Sequence, residues 1–170
     1  MICPSCGQEN IEGTDRCENC LAPFRDLDVP RADAAEGLAR SVMEDRLSLL
    51  EQEETVAVEP DTPVYEVVQR MRAARSGCAL VVEAGKLAGI FTEHDVLRRM
   101  TGTNAATKTT AVMELMSPDP ELLRDNDSVA TALNKMYLGR YRHIPVLKGD
   151  GSYRVTSIKS VLKYIAGEDW

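Results

Sequence analysis

Residues 61–100 lie on residues 126–165 when the sequence is shifted by 65 positions, with no gap. Val64 falls on Val129, Met71 on Met136, Arg75 on Arg140, Val81 on Val146, Val96 on Val161 and Leu97 on Leu162. Val82 matches Leu147, Ile90 matches Val155 and Thr92 matches Ser157. Identity is low, so the shared apolar pattern and the unbroken register carry the inference that one supersecondary unit is used twice. A unit of about 60 residues buries too little surface to be comfortable alone. The two copies are therefore expected to close their sheets against one another about a pseudo-twofold axis.

Both copies read as α-β-β-α. Turn-forming residues, Asp61-Thr62-Pro63 or Asn126-Asp127-Ser128, precede a helix. Its apolar face is Val64, Val67, Val68 and Met71 in the first copy and Val129, Ala132, Leu133 and Met136 in the second, at the i, i+3, i+4, i+7 spacing. A short apolar strand follows, Ala79–Val82 or Ile144–Leu147. A glycine turn then leads into a second strand, Leu87–Phe91 or Tyr153–Thr156, and into a last helix starting near Thr92 or Ser157.

The junction Gly89-Ile90-Phe91-Thr92-Glu93-His94-Asp95 carries the most chemistry. Thr92 with Asp95 three residues on forms a candidate capping box. A strand ending at a helix N-terminus also sets free N–H groups, a hydroxyl and a carboxylate side by side, which suits phosphate and ribose. Asp95 thus has two readings, cap or ligand acceptor. Copy two replaces Asp95 by Ser160 and Gly89 by Arg154; copy one has Gly77 and Cys78 where copy two has Arg142 and His143. The copies are complementary rather than equivalent. His94, in the helix first turn, is read as facing solvent.

Residues 1–27 form a separate object. Cys3, Cys6, Cys17 and Cys20 stand as Cys-x2-Cys, ten residues, Cys-x2-Cys. Four thiolates at that spacing can meet one tetrahedral zinc, and with every position taken by Cys the site is structural. So short a segment with almost no apolar core needs such a staple to fold. Iron in the same tetrathiolate site, or two disulfides, are the alternatives. Residues 28–45 read as a polar linker and a lead-in helix with Leu38, Val42 and Leu49 toward one face, weakened by Gly37. The repeats are placed at 46–101 and 112–167, joined by a small polar linker at 102–111. Cys78, in an apolar run, is read as a buried thiol.

The formal net charge of −7 gives no electrostatic footprint for nucleic acid or an anionic membrane. No apolar run approaches the about 20 residues of a membrane span. Met1-Ile2-Cys3-Pro4 lacks the features of a signal peptide, so a cytoplasmic location is expected. No nucleophile–base grouping, carboxylate pair or phosphate-cradling glycine loop argues for an enzyme.

The repeat resembles a tandem pair of cystathionine-β-synthase (CBS) domains, a Bateman module, over about 120 residues. Three phrases carry the resemblance: Gly89-Ile90-Phe91-Thr92-Glu93-His94-Asp95, Arg142-His143-Ile144-Pro145-Val146 and Val112-Met113-Glu114-Leu115-Met116-Ser117. The first 25 residues resemble the short zinc ribbons that open with Cys-Pro-x-Cys-Gly. The resemblance implies an α+β fold and an adenosine-containing ligand (AMP, ADP, ATP or S-adenosylmethionine) in the cleft between copies. It also implies a homodimer of two modules. It assigns Asp95 to the ribose hydroxyls, Thr92 with the helix N-terminus to phosphate, and Arg142 and His143 to phosphate from the other copy. Those residues make one competent site. The expected function is a regulatory module signalling to an as yet unknown protein partner. A cleft that binds nothing, serving as an interaction scaffold, is the alternative. A nucleic-acid adaptor is weaker, because the ribbon's basic residues are outnumbered by acidic ones.

Overall fold

The computed structural model describes residues 8–11, 16, 18–19, 37–51, 54–100 and 108–167. Cys3, Cys6, Cys17 and Cys20, expected to hold zinc, lie outside the described residues. The elements are α1 (Gly37–Glu44), β1 (Val56–Val58), α2 (Val64–Ala73), β2 (Cys78–Glu83), β3 (Lys86–Thr92), α3 (Glu93–Arg99), β4 (Ser117–Pro118), β5 (Leu123–Arg124), α4 (Val129–Gly139), β6 (His143–Leu147), β7 (Tyr153–Ser157) and α5 (Ile158–Ala166). They form one four-stranded sheet, ordered β1-β2-β3-β4, and one three-stranded sheet, ordered β5-β6-β7.

The repeat extends into the strand register. Cys78 pairs with Thr92 and Val81 with Gly89; His143 pairs with Ser157 and Val146 with Arg154, each 65 positions on. The expected helical faces are the buried ones: Val64, Val67 and Met71 on α2, and Val129, Ala132 and Met136 on α4. Each helix covers the core of its own copy. A third apolar cluster joins the copies, with Cys78, Leu80 and Ile90 of the first against Val155 of the second. Tyr153 crosses the same boundary, its hydroxyl accepting from the Leu87 amide at 3.2 Å.

The segments that open each copy are exchanged. Leu47 N–H donates to the Asp127 carbonyl, and Val112 N–H to the Thr62 carbonyl, both at 2.9 Å. Asp45 O accepts from Val129 N–H at 2.9 Å, and Thr110 O from Val64 N–H at 2.8 Å. Each segment therefore satisfies the first helical amide of the other copy, a group no intrahelical bond can reach. The N-cap position of α2 falls on Pro63, whose ring offers no side-chain acceptor, so α2 has no side-chain cap. Ser128 does cap α4, accepting from Thr131 N–H at 3.1 Å. Leu47 is fully buried in the core of copy two, and Val112 in that of copy one.

The lead-in helix differs from expectation in the face it uses. Leu38 and Leu49 are exposed; Val42 alone of the expected three packs on the copy-two core, and α1 lies against α4. Leu47 supplies the burial instead. The end of this segment is tied to α5 by the Tyr164 hydroxyl, which donates to Asp45 Oδ2 at 2.5 Å. Burial, then the hydrogen bond and charge of Asp45, push the Tyr164 phenol up to about 12 from 10.0. The neutral phenol is held more tightly in the folded chain than in the unfolded one. Its contribution is complete below pH 10.0 and is lost as pH rises through about 12. Urea unfolding across that window is expected to show the loss, and Tyr164→Phe to flatten it; an unchanged profile would contradict the account.

At the register-equivalent positions Gly89 and Arg154 the copies diverge for packing reasons. A Cβ on Gly89 would stand 2.3 Å from Met116 Sδ and 3.0 Å from the Ser117 carbonyl, so the bare backbone admits the segment leading into β4. Arg154 is 3% exposed, and its guanidinium holds Asp125 Oδ1 at 2.7 Å, the Leu47 carbonyl at 2.5 Å and Thr156 Oγ1 at 3.3 Å. It clamps the exchanged segment to copy two.

Candidate functional site: a cleft between the copies

Thr92 closes β3 in extended geometry and caps α3. Its hydroxyl accepts from Asp95 N–H at 3.4 Å and donates to Asp95 Oδ2 at 2.7 Å; its N–H donates to the same oxygen at 2.9 Å. The capping box is complete. Oδ2 is thereby used, and the Thr92 proton is spent within the box. Asp95 Oδ1 is different: its nearest ionic neighbour among the described residues is Arg99 Nε, at 3.9 Å. Asp95 is 6% exposed and lines the cleft, so Oδ1 is a fixed acceptor with capacity left.

The opposite wall comes from copy two. α4 ends at Gly139, and Arg140 turns the chain with φ of 54°. Tyr141, Arg142 and His143 then run into β6. The Arg142 carbonyl accepts from Ile158 N–H at 2.9 Å, as the Gly77 carbonyl accepts from Glu93 N–H at 3.0 Å in copy one. These bonds fix each strand start beside a helix start. His143 packs over Gly77: a Cβ there would stand 2.7 Å from its Nε2. The absence of a side chain at 77 is what lets the imidazole of copy two reach the start of α3. Gly77→Ala is expected to swing the ring aside, shifting the His143 ring signals in NMR. The displaced atoms end a flexible side chain, so the melting temperature should fall by at most about 3 °C; unmoved ring signals would contradict the packing.

Between these walls lies a cavity of about 440 Å³, within the usual range for small-molecule sites. Thr92, Asp95, Arg142 and His143, singled out from the sequence, all line it. His94, exposed as expected, lies at its edge. Ile90 and Pro145 supply apolar surface. Sequence reasoning missed Arg140, Tyr141 and the segment Ser117 to Glu121. Arg140 was visible as the match of Arg75, and both take left-handed backbone, at φ of 54° and 50°. The Pro118-Asp119-Pro120 turn was the signal for the other wall. Glu121 is paired with Lys135 at 2.8 Å. Burial, then the Glu121 charge, raises the Tyr141 phenol above its ordinary value.

The equivalent positions in copy two are closed. Ser160 Oγ donates to the Ser157 carbonyl at 2.8 Å and accepts from Ser157 N–H at 3.1 Å. Both serines are 2% exposed. They complete a capping box and offer no acidic group.

A family model for the CBS domain matches residues 40–102 and 112–167. The chain belongs to the CBS-domain family and carries the domain in tandem. It is 33% identical over 95 residues to the CBS domain-containing protein CBSCBSPB3 of Arabidopsis thaliana, a match covering 56% of this chain and 17% of that protein. It is 34% identical over 113 residues to the mitochondrial CBSX3 of the same plant, covering 64% of this chain and 55% of that relative. The chain thus spans only a fraction of the curated relatives' length. A CBS-domain protein from Agrobacterium tumefaciens superposes with a TM-score of 0.61 at 29% identity, over 72% of this chain and 97% of the other. A CBS-domain protein from Pyrobaculum aerophilum, solved in complex with AMP, has a TM-score of 0.61 at 23% identity, over 71% and 98%. The latter likeness is one of fold. Among the described residues no helix is long and apolar enough to cross a membrane.

Proposed function

We propose that this chain is a regulatory module that binds an adenosine-containing ligand in the cleft between its CBS copies. AMP, ADP, ATP and S-adenosylmethionine are the ligand class. Asp95 Oδ1 would accept from the ribose hydroxyls, as a carboxylate in the stronger, charge-assisted manner. Arg142, with His143 beside it, would hold phosphate through its planar fork. Thr92 orients Asp95. The observation that carries the reading is the cleft itself, with the acid from one copy facing the bases of the other across about 440 Å³. The AMP bound to the Pyrobaculum relative supports it.

Residues 1–27 are proposed to form a zinc ribbon on Cys3, Cys6, Cys17 and Cys20, with 28–45 as linker and lead-in helix, 46–101 and 112–167 as the copies, and 102–111 between them. A set of four thiolates suits structural zinc. Within that stretch Asn10, 6% exposed, donates to the Gln8 carbonyl at 2.8 Å and accepts from Glu18 N–H at 2.9 Å. The signalling route would run from the cleft along α4 to α1, which packs on it, and on to the ribbon and a protein partner. A homodimer and a cytoplasmic location complete the reading. One observation favours the alternative of a ligand-free scaffold: Asp95 already has a full structural role as a cap.

Thermal unfolding with each ligand tests the proposal. A ligand at about 100 times its dissociation constant should add about 2.7 kcal/mol of stability. No shift with any of the four would favour the scaffold. Metal analysis of the same sample should give one zinc per chain; a metal-free folded chain would remove the ribbon.

A further inference from the structure

The cleft's charges do not suit every adenosyl ligand equally. Four acidic and two arginine side chains line it: Glu93, Asp95, Asp119 and Glu121 against Arg140 and Arg142. Asp95 keeps its charge within the capping box but is turned to the ribose in the proposed site, and Glu121 is paired with Lys135 at 2.8 Å. That leaves two guanidinium groups, Arg140 and Arg142, and two carboxylates, Glu93 and Asp119. None of these four forms an ion pair among the described residues. One phosphate monoester carries about −1.5 to −2 charges at neutral pH, which two guanidinium groups offset. Among the described residues the lining holds no further Arg or Lys, and its two imidazoles, His94 and His143, are weaker phosphate partners than a guanidinium fork. Further phosphates would meet Asp119 and Glu93 instead, within the field of a chain of net charge −7.

We infer that the cleft selects an adenosyl ligand bearing a single phosphate and rejects a metal-free triphosphate through Asp119 and Glu93. The inference rests on the nucleotide reading of the site and goes beyond it by naming the phosphate count and the residues that set it. Asp119 holds its place because the chain turns there with φ of 45°, directly after β4 pairs with Gly89 and Ile90 of β3. Glu93 is fixed as the first residue of α3. Both are exposed, so their repulsion is long-ranged at low salt and screened at high salt.

Isothermal titration of AMP and ATP into the full chain, in magnesium-free buffer of low ionic strength, tests this. AMP should bind at least about tenfold more tightly than ATP, a difference of about 1.4 kcal/mol. In the double variant Glu93→Gln, Asp119→Asn the ratio should narrow several-fold, mainly because ATP binds better. Added salt should narrow it in the wild type. ATP binding as tightly as AMP, or a ratio unchanged in the double variant, would overturn the inference while leaving the nucleotide site standing. Absence of binding by both nucleotides would instead overturn the site, and this inference with it.

Discussion

Arg154→Ala is expected to lower the unfolding free energy by about 3 kcal/mol. The side chain is 3% exposed and joins three places: Asp125, before α4; Thr156, on its own strand; and the Leu47 carbonyl, on the segment exchanged from copy one. Truncation leaves the partly buried Asp125 carboxylate without its partner, the costly half of breaking an ion pair, and removes one of two donors to the Leu47 carbonyl, which keeps the Leu50 N–H at 3.0 Å. Arg154→Met keeps much of the volume and should still lose the clamp on Leu47. Denaturant unfolding at neutral pH measures both. A loss under about 0.5 kcal/mol, ordinary for surface substitutions, would show that the clamp is not part of the fold's stability.

Asp95→Ala should separate cap from ligand. Loss of the capping box costs about 1 kcal/mol of stability. Loss of a charged acceptor for ribose hydroxyls costs a further 1.5–3 kcal/mol in binding, roughly a tenfold to hundredfold weaker affinity. Titration calorimetry on the folded variant reads the second effect. A variant that is less stable but binds with wild-type affinity would reduce Asp95 to a cap. Arg142→Ala keeps the backbone carbonyl that meets Ile158 N–H at the start of α5, so it should weaken a phosphorylated ligand while leaving stability unchanged.

The repeat was legible because its signals are local. The helical faces Val64, Val67, Met71 and Val129, Ala132, Met136 repeat at one offset, and both are buried. The first strand of each hairpin is buried on both faces, as the runs Ala79-Leu80-Val81 and Ile144-Pro145-Val146 indicate. The exchange of opening segments was not legible. Leu47 bonds to Asp127, far along the chain, and nothing at residue 47 distinguishes it from exposed Leu49. Arg154 shows the same limit. From the sequence it is a departure from the ligand-site pattern; in the fold it is a buried clamp whose partner, Asp125, is 29 residues away.

The candidate site was legible where it repeats. The register that sets Thr92 opposite Cys78 also sets Ser157 opposite His143, so the contrast between the copies pointed to complementary walls. Arg140 and Asp119 escaped notice because turns carry no apolar period, and their place in the cleft depends on left-handed backbone at each. Cys3, Cys6, Cys17 and Cys20 stand outside the described residues and rest on their spacing alone.

The most direct measurement is a crystal structure of the full chain grown with AMP. The account predicts one nucleotide per chain in the cleft, its ribose hydroxyls within hydrogen-bond distance of Asp95 Oδ1 and its phosphate against Arg142. A nucleotide seated instead beside Ser157 and Ser160, or a cleft left empty at saturating AMP, would contradict it.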